Sequence, residues 1–257
     1  MRCGLAHDSL HFLREEIRAV AMLPPHLGPS VRAAFDTDAG VALVLEAIDG
    51  RHPGAPWTAG DLDAIAATMA RLSRTPAPVG MERAEDRMIP GFTRWAEIAE
   101  DPRLLAGLPM PLCARIPELR EIESGFRDAL HGDVVVHDDL RADNILISDG
   151  EARLLDWPHA RRGAARVDLP CLLPSVEASG GPRCEDAWRI FEAHGAPTQQ
   201  ALLPVISGFA SFLWFNQAQP EIPQLPGLRA FQRQQAVPAL RWLTSLLTGP
   251  PDGSPLA

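Results

Sequence analysis

The stretch Val134-Val135-Val136-His137-Asp138-Asp139-Leu140-Arg141-Ala142-Asp143-Asn144-Ile145-Leu146-Ile147-Ser148-Asp149-Gly150-Glu151-Ala152-Arg153-Leu154-Leu155-Asp156-Trp157 decides how this chain is read. Val134–Val136 is a short β-type run, and a polar loop separates it from the apolar Ile145–Ile147. Asp149-Gly150 then stands between two apolar runs, which is a strong hairpin signal. Folding the chain about that turn places Asn144 opposite Leu155 and Asp156. Directly opposed residues of an antiparallel pair have Cβ atoms roughly 5 Å apart. Asn144, Asp156 and the Asp139 loop are therefore expected to meet at one end of the hairpin. Their oxygens form a ligand set suited to a hard cation such as Mg²⁺.

Outward from this segment the pattern is mostly helical. Leu10, Leu13, Ile17 and Val20 recur at helical spacing after Asp8-Ser9, which can cap the helix, and Pro24 stops it. Val41–Ile48 reads as a short buried strand. Asp61–Ser73 is a second helix with Leu62, Ile65, Met69 and Leu72 on one face, and a third follows Pro117 with Leu119, Ile122, Phe126 and Leu130 aligned. Three more are expected near Glu185–His194, Gln199–Phe215 and Leu228–Leu247, with Gly195 and Gly249 at C-terminal caps. The 25 prolines punctuate the chain without a repeat, and the segment from Gly249 to Ala257 reads as a loose tail.

Composition narrows the classes. The 257 residues carry 24 basic side chains, all arginine, against 33 acidic ones, a formal charge of −9; there is no lysine and no tyrosine. Such an acidic chain argues against non-specific nucleic-acid binding and against a polybasic membrane anchor. Cys3, Cys113, Cys171 and Cys184 are too scattered for a zinc ribbon or disulfide framework, which points to the reducing cytoplasm. Arg14, Glu15, Glu16 and Arg18 interrupt any signal-peptide core. Val41–Ile48, the longest strongly apolar segment, contains Glu46 and is too short to span a bilayer.

The pattern H-D-D-L-R-A-D-N from His137 to Asn144, followed by L-L-D-W from Leu154 to Trp157, resembles the aminoglycoside-phosphotransferase-like branch of the kinase superfamily. There the loop usually reads H-G-D-L-x-x-x-N, and an aromatic residue follows the metal Asp. Leu45–Pro53, Asp156–Ala160 and Val167-Asp168-Leu169 are also similar to bacterial members, so the resemblance runs from about Leu10 to Leu247. It implies an α+β, protein-kinase-like two-lobed fold with a truncated N-terminal lobe and a mainly helical C-terminal lobe. Residues 1–50 would be the remnant of the nucleotide lobe with the hinge, and 51–257 the helical lobe bearing the catalytic loop and metal-binding hairpin.

The resemblance also implies roles. Asp139 would orient an acceptor hydroxyl and take its proton. Asn144 and Asp156 would hold Mg²⁺ on the phosphates of ATP or GTP. Arg141 would meet the transferred phosphate, His137 would prop the loop and Asp168 would brace it. The backbone of Glu46, Ala47 and Ile48 would bind the base, and Glu16 would be the lysine-pairing Glu of the first-lobe helix. The partners implied are a nucleotide and a small-molecule hydroxyl acceptor. Two departures stand out: Asp138 replaces the loop glycine, and the glycine-rich loop and strand lysine are missing, so Glu16 lacks an ammonium. Weak Mg²⁺–nucleotide binding, negligible turnover and some self-association are expected of the chain as given.

Plainer readings compete at several positions. Asp138 and Asp143 read as solvated loop carboxylates, Glu16 as a solvated helix residue, and Trp57, Trp95, Trp188, Trp214 and Trp242 as packing residues. Arg141 serves a phosphate or a surface ion pair equally well. At the level of function, a non-catalytic pseudokinase-like binding protein is the alternative to a phosphotransferase. A His-Asp metal phosphohydrolase is disfavoured, because His137-Asp138 follows a strand rather than lying on a helix.

Overall fold

The computed structural model describes residues 4–24, 27–37, 40–54, 56–165 and 167–249, with side chains from residue 10 onward. Helix α1 (Gly4–Met22) already includes Asp8 and Ser9, so these do not cap it as expected. Ala19 and Val20 turn its inner face into the core, and Leu23 just past its end is buried with them. Strands β1 (Val31–Thr37) and β2 (Gly40–Leu45) pair antiparallel with a bulge between Val31 and Ala33. The expected buried strand is thus a shorter one, ending at Leu45 and alternately exposed, because β1 is its only strand partner among the described residues. Phe35 and Val44 of this hairpin stand 57% and 47% exposed. At Gly28 the chain approaches the site closely: a Cβ there would lie 2.8 Å from Trp157 Nε1.

Helix α2 (Ala59–Leu72) starts in a capping box, Thr58 accepting from the Asp61 N–H and Asp61 from the Thr58 N–H. Its buried Thr68 donates to the Ala152 carbonyl, fixing α2 against the hairpin. Four helices follow that the periodicity does not reveal: α3 (Ala84–Phe92), α4 (Trp95–Glu100), α5 (Pro102–Gly107) and α6 (Met110–Cys113). Each is too short to repeat an apolar stripe. The single helix expected past Pro117 is two, α7 (Ile116–Ser124) and α8 (Phe126–Leu130), separated at Gly125.

Strand β3 (Val134–Val136) pairs with β6 (Arg161–Gly163), while β4 (Ile145–Ser148) and β5 (Glu151–Leu154) form the hairpin. Helices α9 (Asp168–Ala178), α10 (Cys184–Ala193), α11 (Leu203–Asn216) and α12 (Leu228–Thr248) complete the lobe. The expected helix from Gln199 begins as a 3₁₀ turn, since Pro204 suits the first turn of α11 rather than a helix interior. Trp95, Trp157, Trp188 and Trp242 are fully buried in one continuous core. Gly195 and Gly249 do take positive φ after α10 and α12. Among the described residues, no helix is long and apolar enough to cross a membrane.

Candidate active site

The hairpin register is the expected one. Ile145 faces Leu154, and the Leu155 N–H donates to the Asn144 carbonyl at 2.8 Å, which sets Asn144 beside the Leu155–Asp156 step. The loop ahead of it is held from below. Asp168, fully buried at the start of α9, accepts from the backbone N–H groups of His137 and Asp138, both at 2.9 Å. His137 is buried under Trp157 with ring centroids 4.5 Å apart, and burial lowers its pKa, so the ring is neutral. Its Nε2 donates to the Leu155 carbonyl at 2.8 Å, tying the loop to the hairpin.

Asp138 corrects the sequence reading. Its side chain is only 2% exposed and pairs with Arg87 of α3 at 3.3 Å, instead of pointing to solvent. Its φ of 60° is left-handed, a conformation glycine adopts freely and Asp tolerates better than most residues. That explains how this position accepts Asp where the resembling loops carry glycine. Burial pushes the Asp138 carboxyl well above the usual range, against the pull of Arg87.

Asp139 lies half-buried beyond it. Burial raises its pKa, Arg141 pulls it down, and Asp156 and Asp143 add to the rise. Arg141 bridges Asp139 and the exposed Asp143, its Nε 3.1 Å from the latter. Burial opposes the Arg141 charge, but these bonds outweigh it and its pKa is raised. Asn144 Nδ2 donates to the Asp139 carbonyl at 2.9 Å, which leaves Oδ1 for another partner. Asp156, also at a left-handed φ of 63°, is exposed and has no hydrogen-bond partner among the described residues. One amide oxygen and one unengaged carboxylate fit Mg²⁺, which keeps several waters and substrate phosphates rather than a full protein cage. Consistent with that sparse set, no cluster of three His, Cys, Asp or Glu forms among the described residues.

Glu16 is not a solvated helix residue. Burial raises its carboxyl, Asp156 adds to the rise, and the nearby Trp157 backbone N–H opposes it. Glu16 therefore faces the site from α1. At the linker, the Glu46 carboxylate pairs with Arg153 at 2.9 Å and its N–H donates to the Ser30 carbonyl. Ala47 and Ile48 make no backbone–backbone hydrogen bond among the described residues, leaving their polar groups available.

A cavity of about 390 Å³ opens beside Asp139 and Arg141. Its walls come from α3, α11 and α12 and include Arg87, Phe92, Phe212, Phe231 and Gln235, with His159 at one side. Sequence reasoning missed these residues because they come from separate elements and share no motif; only the Asp156–Ala160 resemblance ran through His159. Burial lowers the His159 pKa to about 3, with the guanidiniums of Arg87, Arg161 and Arg141 adding to the shift.

The folded protein thus resists a proton that the unfolded chain accepts near pH 6.5. This contribution to stability is present above about pH 6.5 and is lost as pH falls toward 3. His159→Gln is expected to flatten the fall of the denaturant midpoint across that window, by at most about 1.4 kcal/mol per pH unit. An unchanged slope in the variant would count against a neutral buried His159.

A helix and short hairpin joined by a linker to a helical lobe, with an Asp–Asn loop and a hairpin-borne Asp at the junction, make this a kinase-like α+β fold. Solved structures agree. A type VIII aminoglycoside-3'-phosphotransferase aligns with a TM-score of 0.54 at 22% identity, covering 80% of this chain and 82% of its own. A choline/ethanolamine kinase family protein from Mesorhizobium loti aligns at 0.57 and 16%, covering 95% and 79%. An aminoglycoside phosphotransferase from Streptomyces rimosus, solved with ADP and streptomycin, aligns at 0.54 and 17%, covering 89% and 84%. No curated protein sequence matches significantly. The model of the phosphotransferase enzyme family (APH) matches residues 2–202, and the chain belongs to that family.

Proposed function

We propose that the protein transfers the terminal phosphoryl group of ATP or GTP to a hydroxyl of a small molecule bound in the cavity beside Asp139. The observation that carries this reading is the convergence of Asp139, Asn144 and Asp156 around one loop and hairpin, with the cavity opening on the Asp139 side. A solved structure of this fold with ADP and streptomycin bound supports a nucleotide and a small-molecule partner. Asn144 Oδ1 and the Asp156 carboxylate would hold Mg²⁺, which when bound neutralises charge on the nucleotide phosphates. Asp139 aligns the acceptor hydroxyl and takes its proton as the new O–P bond forms and the bond to the nucleoside diphosphate breaks. The Ala47–Ile48 backbone offers hydrogen bonds to the base. The 257 residues contain no lysine, so any cation that this chain itself places on the phosphates would be an arginine. That same absence is what favours the second reading, a nucleotide-binding protein without turnover.

Arg141 tests the proposal. In the structure it rests on Asp139 and Asp143, and an arriving phosphate would compete for its guanidinium. Arg141→Ala is expected to lower kcat by about tenfold to a hundredfold while raising KM less, because the contact strengthens as charge develops. Losing the Arg141 charge also moves the acid limb of the pH–rate profile upward, since that charge holds Asp139 down. Lysine should rescue in part, supplying charge without the fork. Unchanged steady-state kinetics in Arg141→Ala would reassign this residue to a surface ion pair.

A further inference from the structure

Resting on the phosphotransferase reading, we propose that the acceptor is an uncharged alcohol with a flat apolar body, lodged between the phenylalanine wall and Gln235 beside Asp139. The charges that line the cavity are already matched. Arg87 pairs with Asp138 and Arg141 pairs with Asp139, so no carboxylate is left to receive an ammonium. Of the remaining titratable side groups, His159 is held neutral and the buried Cys171 is held as the thiol by burial, so neither brings negative charge. A cationic acceptor would therefore enter a site with no unpaired carboxylate to neutralise it, which is unfavourable in a partly desolvated site.

Aromatic faces do not offer the cation an alternative. Phe212 stacks on Phe92 at 4.6 Å between centroids, and Phe209 stacks on both at 5.8 and 6.0 Å. Arg141 already sits over the Phe231 ring, 5.6 Å from its centroid. That ring face is thus taken by a residue of the chain itself. What the cavity does offer is apolar: the edges of these rings with Leu140, Leu213 and Leu228.

One polar handle remains on α12. Gln232 Oε1 already accepts from Arg229 at 2.8 Å, whereas Gln235 is buried with its Oε1 unpartnered among the described residues. Buried amide oxygens are normally satisfied, so a second hydroxyl or N–H of the acceptor is the partner this group lacks. A volume of about 390 Å³ admits a single substituted ring and lies near the small end of ligand pockets.

The test uses the whole protein without nucleotide and a matched pair of probes, para-methylbenzyl alcohol and para-(aminomethyl)benzyl alcohol, followed by calorimetry and ligand-observed NMR. The neutral alcohol is expected to bind about tenfold tighter or better. Phe212→Ala should weaken it by a similar factor. Gln235→Glu places an unmatched carboxylate on the wall and should reverse the preference toward the amine. If that variant does not fold, Arg87→Gln, at an exposed position, removes one of the two guanidiniums on the cavity wall and should shift the preference in the same direction. Equal or tighter binding of the amine by the unaltered protein, or binding of neither probe, overturns the proposal. A parallel Mg²⁺–ATP titration separates the two claims. Nucleotide binding without the alcohol preference sinks only the acceptor assignment, and the alcohol preference without nucleotide binding sinks only the phosphotransferase reading.

Discussion

Asp139→Asn is expected to lower kcat by about two to four orders of magnitude, the range over which a positioned general base contributes. The substitution removes the carboxylate proposed to take the acceptor proton and keeps its shape. Asn144 bonds the Asp139 carbonyl rather than its side chain, so the metal-side geometry should survive. Mg²⁺–nucleotide affinity is accordingly expected to change by less than about threefold, a difference well under 1 kcal/mol. Burial raises the Asp139 carboxyl, which moves a base that must be ionised closer to working pH. On the phosphotransferase reading the parent protein should therefore lose activity on the acid side, and that limb should disappear in the asparagine variant. Full rates in Asp139→Asn would remove the residue from the chemistry.

The second large effect concerns Asp168. Its two oxygens accept the His137 and Asp138 N–H groups, and nothing else within the described structure stands ready to replace them. Asp168→Ala strands two buried donors, each costing about 1–3 kcal/mol. Loss of the buried carboxylate offsets part of that, so a net destabilisation of about 2–4 kcal/mol is expected from the denaturant midpoint. Asp168→Asn keeps one good acceptor and should fall roughly midway. Because Asp138 sits at a left-handed φ with its N–H on Asp168 and its carboxylate on Arg87, kcat is expected to fall in both variants more than KM rises. A variant as stable and active as the parent would show that the loop keeps its shape without Asp168.

Much of this was legible in the chain, and the reason is local chemistry. Asp149-Gly150 fixes a two-residue turn, Asp149 and Gly150 both take positive φ, and the register places Asn144 beside Leu155 as the spacing required. The long helices were legible because α2, α10 and α12 are long enough to repeat an apolar stripe. What the pattern could not show depends on distant partners. Asp138 reads as a loop carboxylate until Arg87, fifty-one positions earlier, is found beside it. Glu16 reads as a solvated helix residue until α1 is seen to face the Asp156–Trp157 step. The short helices from Ala84 to Cys113 are shaped by prolines and by the aromatic core around Trp95, not by their own periodicity. The cavity walls come from α3, α11 and α12, whose adjacency is tertiary.

The central claim is that Asn144 and Asp156 hold a metal on which nucleotide binding depends. Isothermal titration of ATP and GTP into the protein, with Mg²⁺ and with EDTA, tests it most directly. The account predicts heat of binding for at least one nucleotide with Mg²⁺, little or none with EDTA, and its loss in Asp156→Ala while Asp139→Asn retains it. Equal binding with and without Mg²⁺, or an Asp156→Ala protein that binds the Mg²⁺–nucleotide as the parent does, would contradict it.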